Sequence, residues 1–362
     1  MKKLGTFPCF LALLIAVALA GSARAAVAYP EVLPGAEIVL PRDEGSHPDH
    51  RIEWWYVTGW IDDDGGEPLG FQVTFFRVRP GFAESNPSRF APKQILFGHA
   101  ALAEPRHGRL RHAERSAREG FDLAFAREGG VDLRLDDWTL RRDGEVYRAV
   151  VNGDDFRMKL DLRATQAPLL QGDRGYSRKG PGPLSASYYY SLPHLAVSGV
   201  VTVDGRERRV NGEAWFDHEW SSDILGESAS GWDWMGINLD DGGALMGFRM
   251  RDRQGGRLWS AATLRSADGR VQTFAPDEVE WTPGRRWQSP RTGATYPVEW
   301  QVRVGDRTYR VEPLMDDSEL DSRASTGTIY WEGPVRLLGH DGNAAGRGYL
   351  ELTGYAGGGI RF

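Results

Sequence analysis

The chain has 362 residues, a net charge of -6 and a single cysteine, Cys9. One thiol cannot form a disulfide within the chain. The absence of a basic block argues against a nucleic-acid partner.

The first 25 residues read as a secretory signal peptide. Lys2 and Lys3 give a positive start, Phe10 to Ala20 is an apolar run, and Ala23-Arg24-Ala25 fits a small-x-small cleavage site. An uncleaved N-terminal anchor is the alternative. Cleavage would remove Cys9 and leave a periplasmic or secreted protein with no thiol chemistry. No later stretch is apolar and long enough to cross a bilayer, so no stable membrane span is expected after removal.

Beyond it, aromatic segments are broken by Gly, Asp and Asn, the pattern of antiparallel β-structure. Trp54 to Ile61, the turn 63–66 and Leu69 to Val78 read as one hairpin. Trp232 to Leu239, the turn 240–243 and Ala244 to Met250 read as another. Aligned without a gap, Trp55 matches Trp232, Gly59 matches Gly236, and Gly70-Phe71 matches Gly247-Phe248. Later, Tyr189-Tyr190 with Pro193 matches Tyr330-Trp331 with Pro334, and Gly212 to Glu219 matches Gly348 to Tyr355. Matches in one order predict a duplicated all-β unit, with domains at 26–222 and 223–362. One large β-sandwich with similar hairpins is the alternative. Residues 170–187, 80–92 and 316–326 read as loops, and no long amphipathic helix is evident.

Two segments concentrate charge against large aromatics: His50-Arg51-Ile52-Glu53-Trp54-Trp55-Tyr56 and Asp217-His218-Glu219-Trp220. Burying an unpaired charge costs several kcal/mol, so such segments invite a functional reading. Side chains alternate faces along a strand. Glu53 and Trp55 therefore point one way, and Trp54 and Tyr56 the other. Trp215, Asp217 and Glu219 likewise oppose Phe216, His218 and Trp220. Two carboxylates on one face repel, so one can hold a proton near neutral pH. This nominates Asp217 as acid, Glu219 as its partner, and His218 or Glu53 as orienter or water-activating base. In the competing reading Glu53 and Asp217 pair with arginines such as Arg51, Arg77 or Arg249, and His218 is a core histidine. His47, His50 and Glu53 are spaced for a helix face, but the segment reads as strand, so no metal is expected. No serine-hydrolase elbow, phosphate loop or dinucleotide fingerprint is present.

The segments 50–59 and 212–222, with Gly231-Trp232-Asp233-Trp234 and 348–355, resemble the signatures of the AttH-like and carotenoid 1,2-hydratase (hydroxyneurosporene synthase) family. The resemblance spans nearly all of the chain beyond residue 25. It implies two tandem lipocalin-like β-barrels. It also implies, for some relatives, cofactor-free hydration of the terminal double bond of acyclic carotenoids, with the acid at Asp217. On this reading an apolar polyene or lipid-like molecule lies at the domain junction, walled by Trp54, Tyr56, Trp215, Trp232, Trp234 and Tyr330. The alternative is a non-catalytic lipid or lipoprotein carrier that works with an ABC-transporter permease.

Overall fold

The structure is a computed structural model that describes residues 27–224, 226 and 228–357. The expected signal peptide, Cys9 and Gly358-Gly359 lie outside the described residues. Within them there is no α-helix, only a 3-10 turn at Arg42–Glu44. Two large antiparallel sheets carry the chain. The first has 13 strands between Ile52 and Asp223, and the second has 10 between Ala229 and Leu352.

Nine strands position the site: β1 (Ile52–Asp63), β2 (Pro68–Val78), β3 (Ile95–Ala103), β4 (Ala186–Val203), β5 (Arg206–Asp223), β6 (Ala229–Leu239), β7 (Ala244–Asp252), β8 (Thr328–Leu338) and β9 (Ala344–Leu352). The first sheet runs β3-β2-β1-β5-β4 through its middle. The second runs β7-β6-β9-β8 in the corresponding order. Each sheet curls until its ends meet by side-chain packing rather than by a ladder. Gly98 of β3 packs on Leu135 and Trp138 from the far edge of the first sheet. In the second sheet, strands Arg257–Arg265 and Val279–Pro283 come together. The result is two tandem lipocalin-like barrels.

Both barrels are filled by their own side chains. Trp55, Phe71, Phe75, Trp138 and Phe216 occupy the first. Met235, Trp281, Trp300, Trp331 and Leu350 occupy the second. The sequence explains this locally. In the strand Phe156–Ala164, Phe156, Met158, Leu160 and Leu162 are buried, while Arg157 and Lys159 are exposed. That is a sheet with one dry face. Most of β1 is instead buried on both faces, because its outer face packs against the second barrel.

The repeat has a different register from the gapless alignment. The ladders pair Gly59 with Phe71 and Met235 with Gly247. The first hairpin closes with Asp63 N–H on Glu67 O, the second with Leu239 N–H on Gly243 O. Met235 is thus the equivalent of Gly59, and Trp232 the equivalent of Tyr56 rather than Trp55. The first turn carries three aspartates before its glycines and the second carries two, so β1 runs one residue further into the acidic run. A one-residue slip exchanges faces. It puts Trp232 outside its barrel, while Trp55 is inside. The match of Gly212 with Gly348 holds, since these pair with Ile61 and Ile237.

The seam between the barrels is apolar, with Ile52, Tyr56, Trp215, Trp234, Phe248 and Tyr349 in one buried cluster. Polar ties cross it. Trp60 Nε1 donates to Gly348 O at 2.8 Å, and Asn238 Nδ2 donates to Ala214 O at 3.1 Å. At Gly70 the first barrel's backbone packs on the Pro334 ring, where an added Cβ would lie 2.4 Å from Pro334 Cγ. Gly70→Ala should therefore wedge the barrels apart. The overpacking cost is about 1–3 kcal/mol, seen by calorimetry as a melting point lowered by several degrees. An unchanged melting point would mean that the seam yields freely.

Candidate functional site

A pocket opens in this seam and encloses about 680 Å³ of empty space, counting the part open to solvent. Its wall is apolar, with Trp54, Tyr56, Phe76, Trp232, Trp234 and Phe248. Its polar groups are Lys179, Asp217, Glu219, Glu332 and Glu351, with Tyr330 and Thr74 beside them. The outward faces of β1, β5, β6, β8 and β9 supply most of these, so both barrels build it.

Asp217 is 2 % exposed and pairs with no arginine among the described residues. Its Oδ1 accepts from Trp215 Nε1 at 2.6 Å and Ser191 Oγ at 2.5 Å, and its Oδ2 accepts from Tyr189 Oη at 2.7 Å. Burial pushes its carboxyl up to about 7, against the pull of these three donors and with some help from Glu219. Glu219 instead sits 2.8 Å from the ammonium of Lys179 and accepts from Ser187 Oγ. Lys179 also lies over the rings of Tyr189 and Phe248.

From the second barrel come Glu332 and Glu351, direct partners across the β8–β9 ladder. Glu332 Oε2 accepts from Tyr56 Oη at 2.9 Å, so the first barrel's tyrosine serves the second barrel's acid. Burial drives both carboxyls upward, and at Glu351 the neighbouring Glu332 adds to the shift. Tyr56 and then Tyr330 partly offset this at Glu332, and the Trp232 indole does so at Glu351.

The sequence-named residues divide. Asp217 and Glu219 share the pocket with Trp54, Tyr56, Trp232, Trp234 and Tyr330. Trp215 stands behind, as a donor to Asp217. Glu53 and His218 do not join them, because they lie on the opposite face of β1 and β5. There Glu53 is fully buried, bound by Arg77 Nε at 2.9 Å, His47 Nδ1 at 2.7 Å and His218 Nε2 at 2.9 Å. Burial would raise its carboxyl, but Arg77, then the rings of His218 and His47, hold it well below the usual range. Burial lowers His218 despite Glu53. The expectation that His218 or Glu53 orients the acid is therefore corrected, because a sheet stands between them and Asp217. The arginine-paired reading applies to Glu53, with Arg77 as partner. Arg249 lies 3.7 Å from Asp233 instead.

His47, Glu53 and His218 offer ligand atoms within 4.8 Å of one another. Glu53 already receives a guanidinium and two imidazoles there, which makes this a satisfied hydrogen-bond network. The loop 170–187 contains two short strands, Leu169–Leu170 and Tyr176–Arg178, laid along β4. This brings Lys179 to the pocket.

Sequence reasoning missed Lys179, Glu332 and Glu351. The signal was present for the two glutamates. Each is a lone acid in an otherwise apolar strand, Tyr330-Trp331-Glu332-Gly333 and Tyr349-Leu350-Glu351-Leu352.

A family model described as AttH-like matches residues 31–355. The chain belongs to the AttH-like family. A protein from Nitrosomonas europaea assigned to AttH is 50% identical, with a TM-score of 0.85, over 90% of this chain and 99% of that one. Kievitone hydratase from Nectria haematococca is 15% identical, with a TM-score of 0.68, over 91% of this chain and 96% of the other. CghA, solved with Sch210972, is 16% identical, with a TM-score of 0.53, over 85% and 89%. At those identities the last two share the fold alone with this AttH-like protein. No curated protein matches the chain.

Proposed function

We propose that this protein binds an apolar, unsaturated small molecule in the seam pocket and adds water across one of its double bonds without a cofactor. One observation carries the reading. An aromatic-walled pocket holds a buried carboxyl, Asp217, whose proton affinity lies near neutrality. A neutral carboxylic acid in an apolar site can protonate an alkene carbon. The π bond supplies the electron pair for the new C–H bond. The cation left on the adjacent carbon faces the rings of Trp54, Trp232 and Trp234. Water adds its oxygen to that carbon and releases a proton, so one water is consumed per double bond. Lys179 and Glu219 form the fixed charged rim.

The apolar run at 10–20, preceded by Lys2 and Lys3, supports an exported location. The test begins with native mass spectrometry and solvent extraction of protein purified from its own envelope. Incubation with lycopene in detergent micelles in H₂¹⁸O then follows. A bound polyene or lipid-like molecule, and product carrying ¹⁸O, are expected. A molecule retained through purification with no ¹⁸O product would favour a carrier working with an envelope permease. Protein that is empty in repeated preparations and inert would sink both.

A further inference from the structure

Adding water requires a group to receive the proton that the water sheds, and the residues first named for this lie behind the sheet. We propose that Glu332 and Glu351 are a proton-sharing carboxyl pair, and that Glu332 Oε1 is the base of the seam pocket. This rests on the hydration reading above.

The two side chains project from directly opposed positions of β8 and β9 into the pocket. Opposed residues place their Cβ atoms about 4.5–5.5 Å apart, close enough for the carboxyls to meet. Among the described residues no lysine or arginine pairs with either carboxyl, whereas Glu219 has Lys179 and Glu53 has Arg77. Glu332 is buried and Glu351 half-buried against an apolar wall, and two opposed carboxylates so placed disfavour double ionisation, so they keep one proton between them. Burial acts in that same direction at both groups, and the Glu332 charge adds to it at Glu351.

The decisive atom is Glu332 Oε1. Glu332 is 1 % exposed. Its Oε2 is occupied by Tyr56, and Tyr330, whose Oη lies 2.8 Å from His99 Nδ1, also pulls on the carboxyl, but among the described residues no donor closes a hydrogen bond on the buried Oε1. A buried acceptor left open is costly, and here it belongs to a residue that lines the pocket. It is the natural seat for a water or a ligand hydroxyl. The contrast with Asp217 is direct, since both Asp217 oxygens are already occupied.

In the proposed step Asp217 gives its proton to carbon while water forms the C–O bond. The proton shed by that water passes to Glu332, whose shared proton stays with Glu351. The pair then holds two protons and Asp217 none. Transfer of one proton back through pocket water restores the starting state. No oxidant or reductant enters.

Two measurements test it. The first is infrared titration of the carboxyl C=O stretch in the full chain, for the wild type, E332Q, E351Q and D217N. The pair should titrate in two separated steps, with a protonated carboxyl persisting above the pH at which ordinary carboxylates lose theirs. Either glutamine variant should collapse this to one step, and D217N should keep it. A single ordinary step in the wild type would overturn the pair. The second measurement is turnover of lycopene against pH. E332Q and E351Q should lower kcat about 100-fold or more, as for loss of a general base, and should remove the acidic limb of the profile. Glu332→Asp should restore part of that limb. A lowered melting point with the wild-type limb intact would make the pair structural and overturn its role as base. If the wild type fails to hydrate lycopene, the reaction and the pair's part in it fall together. The two-step titration would then show that the fault lies with the reaction rather than with the pair.

Discussion

Asp217→Asn is expected to stabilise the protein at pH 8 by about 2–4 kcal/mol while reducing hydration at least 100-fold. The stability effect follows from linkage. The Asp217 carboxyl binds its proton more tightly in the folded state, at about 7, than its ordinary 3.8 allows. Its contribution is therefore fully present below about pH 4 and is lost as pH rises through about 7. Each pKa unit is worth about 1.36 kcal/mol, so about 4 kcal/mol is an upper bound on the loss. Asparagine carries no such loss and keeps the site's geometry. Its oxygen can accept from Trp215 and Ser191, while its amide turns toward Tyr189, which already accepts from Trp234 Nε1 at 3.1 Å. Denaturant titrations at pH 5 and pH 8 check the sign. The variant should gain on the wild type between them. Parallel curves would mean that Asp217 is not a buried proton-bearing group, and the acid assignment would go with it.

Arg77→Met should have the opposite character, a loss of about 3–5 kcal/mol in stability with turnover per folded molecule little changed. Arg77 is 2 % exposed and fully employed. Its Nε serves Glu53, its Nη1 serves His50 O and Gln94 Oε1, and its Nη2 serves His47 O. Methionine fills much of the volume and leaves Glu53 buried without its strongest partner. Because Glu53 is held well below 4.5, the wild type gains stability above the ordinary carboxylate range and loses it as pH falls. The variant lacks that gain, so the gap between the two should be widest at neutral pH and narrow below about pH 4. Adding Glu53→Gln to Arg77→Met should recover part of the loss, since the two side chains are coupled. A large fall in kcat in the folded variant would reopen a catalytic role for Glu53.

Much of this was legible because strands alternate. The period of two put Trp54 and Tyr56 opposite Glu53, and Asp217 and Glu219 opposite His218. The pocket uses one set and the Arg77 network uses the other. The error lay in joining Asp217 to His218 across that alternation, on the strength of adjacency along the chain. The second barrel's share was harder to see. Glu351 comes to the seam only when β9 pairs with β6, a contact between residues far apart in sequence, and Glu332 follows through the local β8–β9 hairpin. Lys179 depends on how an irregular segment lies along β4, and periodicity does not determine that. The hairpin register failed for a narrower reason. A third aspartate in the first turn lengthens β1 by one residue, and a gapless match of conspicuous tryptophans hides this.

The filled barrels have a consequence for how such a protein can change. A barrel that carries its cargo inside must give up core side chains to make room, and every change of cargo disturbs the core. Here Trp55 and Phe216 fill a lumen, while Trp54, Asp217 and Glu351 face the cleft outside. Neighbouring positions on one strand thus answer to different demands, one to holding the barrel together and the next to choosing what lies against it. Specificity can drift along the odd or even positions of a strand while its neighbours stand still. A doubled barrel gives two such surfaces facing each other, each free to vary against the other.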